Sequence, residues 1–90
     1  MQVVVEYLAQ IKRAAGTPRE MVELPSASTL GQLLAMLGDR HDAAFRDMLL
    51  DSQGKPRRML LFFVAEQSVD ASHTLKDGDV VSILAPMAGG

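Results

Sequence analysis

The chain opens on a short β-branched run. Gln2 to Leu8 (QVVVEYL) predicts a strand, with Val3, Val5 and Tyr7 on one face and Val4, Glu6 and Leu8 on the other. Both faces carry apolar residues, so parity leaves the buried one open. Ile11 to Arg19 is basic and contains the breakers Gly16 and Pro18, which predicts a loop with room for one helical turn. Glu20 to Leu24 (EMVEL) predicts a second strand, stopped by Pro25 and antiparallel to the first.

The clearest local pattern follows. Thr29, with Gln32 three residues later, matches a capping box. Leu30, Leu33, Leu34 and Leu37 then repeat at the spacing of one helix face. Gly38 is placed to end that helix, since a left-handed terminal residue costs glycine little. Ala44, Phe45, Met48 and Leu49 predict a shorter second helix, and Asp51 to Arg58 a polar loop around Gly54 and Pro56.

Met59 to Val64 (MLLFFV) is apolar on both faces and predicts a central strand. After a polar segment, Thr74 to Asp79 predicts a short helical turn and a tight Asp-Gly turn at Gly78. Val80 to Ala85 (VVSILA) is the last predicted strand, ended by Pro86. The order is strand, strand, helix, strand, strand: an α+β domain with one main helix on one sheet face. Period-two alternation turns Val81 and Ile83 toward the helix and leaves Val80 and Leu84 on the far face. One helix covers one face only, so Val80, Leu84 and the adjoining Pro86 are expected to form a partner-docking surface.

Ninety residues admit one small domain. At 48% apolar and 22% charged, the chain is too apolar for a disordered tail. Nine basic against eleven acidic residues, a formal charge of -2, argue against a nucleic-acid binder. The lack of cysteine excludes disulfides, Cys-ligated zinc and a thiol nucleophile. No apolar run approaches the roughly 20 residues that span a bilayer, and Val3 to Val5 lacks the flanks of a signal peptide. A cytoplasmic protein without membrane contact is expected.

Several residues invite chemistry and carry little. His41 and His73 stand apart, with no nucleophile or ligand pattern around either. Asp77-Gly78-Asp79 lacks the further carboxylates of a calcium loop and reads as a turn. Gly54-Lys55 lacks the upstream glycine of a phosphate loop. Lys55, Arg57 and Arg58 read as solvated loop charge, with contact to an acidic patch on a partner as the functional alternative.

The last residues carry more. No charged side chain occurs from Val80 to Gly90, and the sequence narrows through Met87 and Ala88 to Gly89 and Gly90, which have no Cβ. Such a segment can be threaded through a narrow channel with its backbone gripped closely. Extended, residues 85–90 reach roughly 20 Å. The group delivered at that distance is the α-carboxylate of Gly90.

These features together resemble the ThiS/MoaD sulfur-carrier family, which includes the small subunit of molybdopterin synthase. The resemblance rests on Val3-Val4-Val5-Glu6-Tyr7-Leu8-Ala9-Gln10, Ala14-Ala15-Gly16-Thr17, Val22-Glu23-Leu24-Pro25 and Thr29-Leu30. Its most specific parts are Leu75-Lys76-Asp77-Gly78-Asp79-Val80 and the terminal Gly89-Gly90. Where the family usually has an Asn-containing turn after the third strand, this chain has Ala65-Glu66-Gln67-Ser68. The Asp51–Arg58 segment is similar to that of stand-alone carriers in cysteine or thio-metabolite pathways.

The resemblance implies a ubiquitin-like β-grasp domain with a mixed sheet over residues 1–85, and a flexible Gly-Gly tail over 86–90. It implies a carrier that is not itself an enzyme and binds no cofactor. An adenylating partner would use ATP to activate Gly90, and sulfide would convert the acyl-adenylate to a thiocarboxylate. Met87, Ala88 and Gly89 would thread into the partner, and a sulfur-accepting synthase or large subunit would receive the sulfur. The alternatives are a molybdopterin synthase small subunit and a ubiquitin-like modifier joined to lysines.

Overall fold

In the computed structural model, which describes residues 1–86, valine-rich segments assemble into one mixed sheet. The elements are β1 (Gln2–Ala9), α1 (Gln10–Ala15), β2 (Arg19–Glu23), α2 (Leu30–Arg40), α3 (Ala43–Leu49), β3 (Leu61–Val64), β4 (Gln67–Ser68) and β5 (Val80–Ala85). The five strands lie in the order β2-β1-β5-β3-β4. β1 and β5 are parallel, and the other pairs are antiparallel, including the expected β1–β2 pair. Met87 to Gly90, the expected tail and activation site, lie outside the described residues.

Packing settles the parity that the sequence left open. Val3, Val5 and Tyr7 of β1, Phe62 and Val64 of β3, and Val81, Ile83 and Ala85 of β5 point into the core. Leu30, Leu33, Leu34 and Leu37 of α2 close over them, with Phe45 and Leu49 of α3 and Ile11 of α1 beside them. The expected capping box starts α2: Gln32 N–H donates to Thr29 Oγ1 at 3.3 Å, and Thr29 N–H to Gln32 Oε1 at 2.8 Å.

Five expectations change. The basic segment after β1 holds a six-residue helix, α1, where the sequence predicts a loop with a single helical turn. Gly16 does not break that helix but caps it at φ 75°, donating its N–H to Lys12 O. Gly38 does not end α2, which runs on to Arg40. A Cβ built there would stand 3.0 Å from Leu50 Cδ1, so this glycine serves close packing against the chain beyond α3. β5, not β3, is the middle strand, and β3 is bordered on its other side by the two-residue β4. Thr74 to Asp79 contains no helical turn: Thr74 bridges Thr29 in extended form, and only the Asp-Gly turn at Gly78, φ 85°, is present.

Candidate functional site: the outer sheet face and tail exit

The face of the sheet opposite α2 is left open, and its side chains are set by strand register. Leu84 of β5 is paired on one side with Leu8 of β1 and on the other with Leu61 of β3. This places three leucines in one row across the sheet, beside the point where the chain leaves β5. Leu8 is 43% and Leu61 44% exposed, while Leu84 between them is half-buried. The next row holds Glu6, Ser82 and Phe63, and the row beyond it Val4 and Val80. Val80 is 41% exposed.

The sequence placed Leu84, Val80 and Pro86 on this surface, and all three lie away from the core. Ile83 and Val81, assigned to the inner face, are fully buried. Leu8 and Leu61 were missed. Parity left the buried faces of their strands open, and joining them to Leu84 requires knowing that β5 inserts between β1 and β3.

Where the row meets the end of the sheet, a groove is lined by Met48, Met59, Arg57, Ala85 and Pro86, among others. Arg57 is held there by its Nε, which donates to the Asp47 carbonyl at 2.9 Å. Ala9 pairs with Ala85, so α1 starts at this same end and brings Lys12 and Arg13 to it. Ala9 itself adopts φ 60°, turning the chain sharply from β1 into α1.

The remaining candidates sit elsewhere. Asp77 Oδ1 accepts from Gln2 N–H, and Asp79 Oδ2 from Lys76 N–H, so both carboxylates close the loop into β5. His73 lies near the start of α2, where its carbonyl accepts from Leu30 N–H. His41 closes α2 and meets Glu20 of β2 through Nε2. Partial burial raises the Glu20 carboxyl, but hydrogen bonds from Arg40 and His41 outweigh it and hold it below its ordinary value. Burial, reinforced by the Glu20 carboxylate, pushes the Tyr7 phenol far above its ordinary range. Among the described residues, no helix is long and apolar enough to cross a membrane.

The ThiS family model matches residues 5–90. The chain belongs to the ThiS family. Its fold is the ubiquitin-like β-grasp, as expected from the motif resemblance. SAMP1 of Haloferax volcanii superimposes with TM-score 0.90 at 18% identity, covering 100% of both chains. A chain of the BexX/CysO complex of Amycolatopsis orientalis matches at 27% identity and TM-score 0.68, covering 98% of this chain and 99% of its own. A chain of the complex of molybdopterin-converting factor subunits 1 and 2 from Helicobacter pylori matches at 25% identity and TM-score 0.62, covering 100% of both. No curated protein matches. ThiS-family chains are small carriers, so the outer face and tail exit are more informative here than any enclosed pocket.

Proposed function

We propose that this ThiS-family chain is a sulfur carrier whose reactive group is the α-carboxylate of Gly90. The observation that carries the reading is the family match, which runs through Gly90 itself. A carboxylate is a poor acyl donor, because its leaving group is oxide. A partner enzyme removes that obstacle: a Gly90 oxygen attacks the α-phosphorus of ATP, pyrophosphate leaves, and an acyl-adenylate remains. Hydrosulfide then adds to the acyl carbon and AMP departs with its oxygen. The product is a thiocarboxylate, one proton is released, and no electron is transferred.

The chain is a co-substrate in this scheme, leaves catalysis and ATP to the partner, and is proposed to act in the cytoplasm. Residues 87–90 reach at most about 14 Å beyond Pro86. The partner must therefore come up against the outer face, where Leu8, Leu61, Leu84, Val80 and Pro86 meet it. Met87 and Ala88 line the threaded segment, and the bare backbone of Gly89 passes its narrowest part. Two of the similar structures are complexes with a second protein, which supports a synthase or large subunit as the sulfur acceptor.

Intact-mass measurement tests the reading. After incubation with the adenylating enzyme encoded in the same genome, ATP and sulfide, the chain should gain the mass difference of one oxygen exchanged for one sulfur. Isopeptide adducts on lysines would instead assign it as a modifier, and an unchanged mass would reject both.

A further inference from the structure

Several exposed cations gather at the end of the sheet where the chain leaves β5. Lys12 and Arg13 are exposed on α1, which begins beside Ala85. Arg57 borders the groove that ends in Ala85 and Pro86, and Arg58 is its exposed neighbour. Asp47 borders the same groove, but Arg57 takes its backbone carbonyl rather than its carboxylate. At the opposite end Glu23 pairs with Gln2, Glu66 turns the chain out of β3, and Asp77 and Asp79 precede β5, with Lys76 as the cation among them. The ion pairs among the described residues engage Arg19, Arg40 and His41. Lys12, Arg13, Arg57 and Arg58 make no ion pair among those residues. The exposed Asp51 carboxylate, held below its ordinary value by the backbone N–H groups of Lys55 and Gln53, is nevertheless near enough to Arg57 to be lowered further by it.

Cations outside any ion pair thus flank the end of β5, Arg57 in the groove with Ala85 and Pro86 and Lys12 and Arg13 in the neighbouring groove at Ala9, in a chain whose formal net charge is -2. Solubility does not require this arrangement, since exposed charge solvates equally well at either end. We propose that Lys12, Arg13, Arg57 and Arg58 form a cationic collar that docks an acidic surface around the active-site entrance of the enzyme taking the tail. The proposal rests on the carrier reading, because the short reach of residues 87–90 brings that entrance against the collar. A protein partner fits better than a nucleic acid. The large side chains exposed beside the cations are the aliphatic Leu8, Met59 and Leu61, and the Phe63 ring one row away is half-buried, a poor platform for base stacking. Apolar residues bordered by charge are instead the composition of a protein interface. Opposite potentials on the two surfaces speed encounter and fix orientation, and salt weakens both.

ATP–pyrophosphate exchange with the adenylating enzyme of the same genome tests the collar. Lys12→Glu/Arg13→Glu should raise KM about tenfold with kcat nearly unchanged, and should flatten the rise of KM with salt seen for the wild-type chain. Arg57→Glu, on the other side of the exit, should act in the same direction and serves if the double variant melts early. Lys76→Glu, at the far end, should leave KM unaltered. Wild-type KM and salt response in the collar variants, with exchange intact, overturn the collar and leave the carrier reading standing. An equal rise in Lys76→Glu overturns it by assigning the effect to net charge. Binding of labelled transfer RNA that is lost in the double variant, with KM unmoved, overturns it in favour of nucleic acid. No exchange with the wild-type chain removes the carrier reading and the collar together.

Discussion

His41 Nε2 lies 2.7 Å from Glu20 Oε2, so the end of α2 is tied to β2 through a carboxylate that also accepts from Arg40 Nη1 at 2.9 Å. The folded Glu20 carboxyl is held below its ordinary value of 4.5. Its contribution to stability is therefore full above that value and is lost as pH falls through the lower folded pKa. Glu20→Gln should cost about 2 kcal/mol at neutral pH. The difference from wild type should shrink in acid, where the wild-type carboxyl is itself protonated. Melting curves across pH 3 to 7 check this, and a pH-independent difference would show that the ties contribute no charge-dependent stability.

Tyr7 sits beside this network with its hydroxyl buried next to the Glu20 carboxylate, near enough to affect its titration but outside hydrogen-bond geometry. Its ring packs edge-on against Phe45 at 5.6 Å, a contact that phenylalanine keeps. Removing an unpaired buried hydroxyl relieves a desolvation cost of about 1–3 kcal/mol. Tyr7→Phe should accordingly raise the melting temperature, while Tyr7→Ala, which empties the core position, should lower it sharply. A lower melting temperature for Tyr7→Phe would mean that the hydroxyl finds a partner in solution.

Neighbours in β5 should respond oppositely to the same charge. Ile83 is fully buried, so Ile83→Asp should unfold the domain. Leu84 stands between Leu8 and Leu61 on the open face, so Leu84→Asp should fold and lose partner affinity by tenfold or more, about the worth of one buried leucine. Thermal melts and titration against the adenylating enzyme decide both. A Leu84→Asp variant that binds normally would remove the leucine row from the interface.

The β3–β4 hairpin carries a backbone cost. Ala65 and Glu66 adopt φ 51° and 66°, a conformation that Asn-Gly enters more readily. Ala65→Asn/Glu66→Gly should stabilise the domain by about 1 kcal/mol, readable as a higher melting temperature with unchanged activation. An unchanged melt would show that the turn is not strained in solution.

Gly89 tests the threaded segment. Gly89→Val should melt like wild type and be adenylated poorly, because a β-branched side chain widens the segment and restricts its backbone. Activation at the wild-type rate would remove the narrow channel from the scheme while leaving the carrier role intact.

Legibility in the sequence followed the range of the interactions. The capping box at Thr29, the leucine stripe of α2 and the alternation of β5 are local patterns, and each formed as read. Gly16 and Gly38 were misread because a glycine is consistent with a break, a cap or a close approach. Only the neighbours, Lys12 O for one and Leu50 Cδ1 for the other, distinguish these roles. The middle position of β5 was hidden for a similar reason. Met59 to Val64 is the more apolar segment, but strand order depends on pairings between distant parts of the chain. Leu8 and Leu61 remained outside the predicted surface on the same account.

The parallel β1–β5 pair also governs how the molecule comes into being. Its partners are separated by nearly the whole sequence, as in Val4 with Val80 and Ala9 with Ala85. Contacts of such long range make for slow, all-or-none closure. The strand that fills the middle of the sheet is also the last of the described strands along the sequence, so the segments before it have no complete core to fold upon. A chain that stops before Val80 lacks Leu84, and with it the middle of the row that Leu8 and Leu61 flank. In the proposed carrier scheme, an activating enzyme that grips folded sheet and tail together would inspect synthesis and folding in a single encounter.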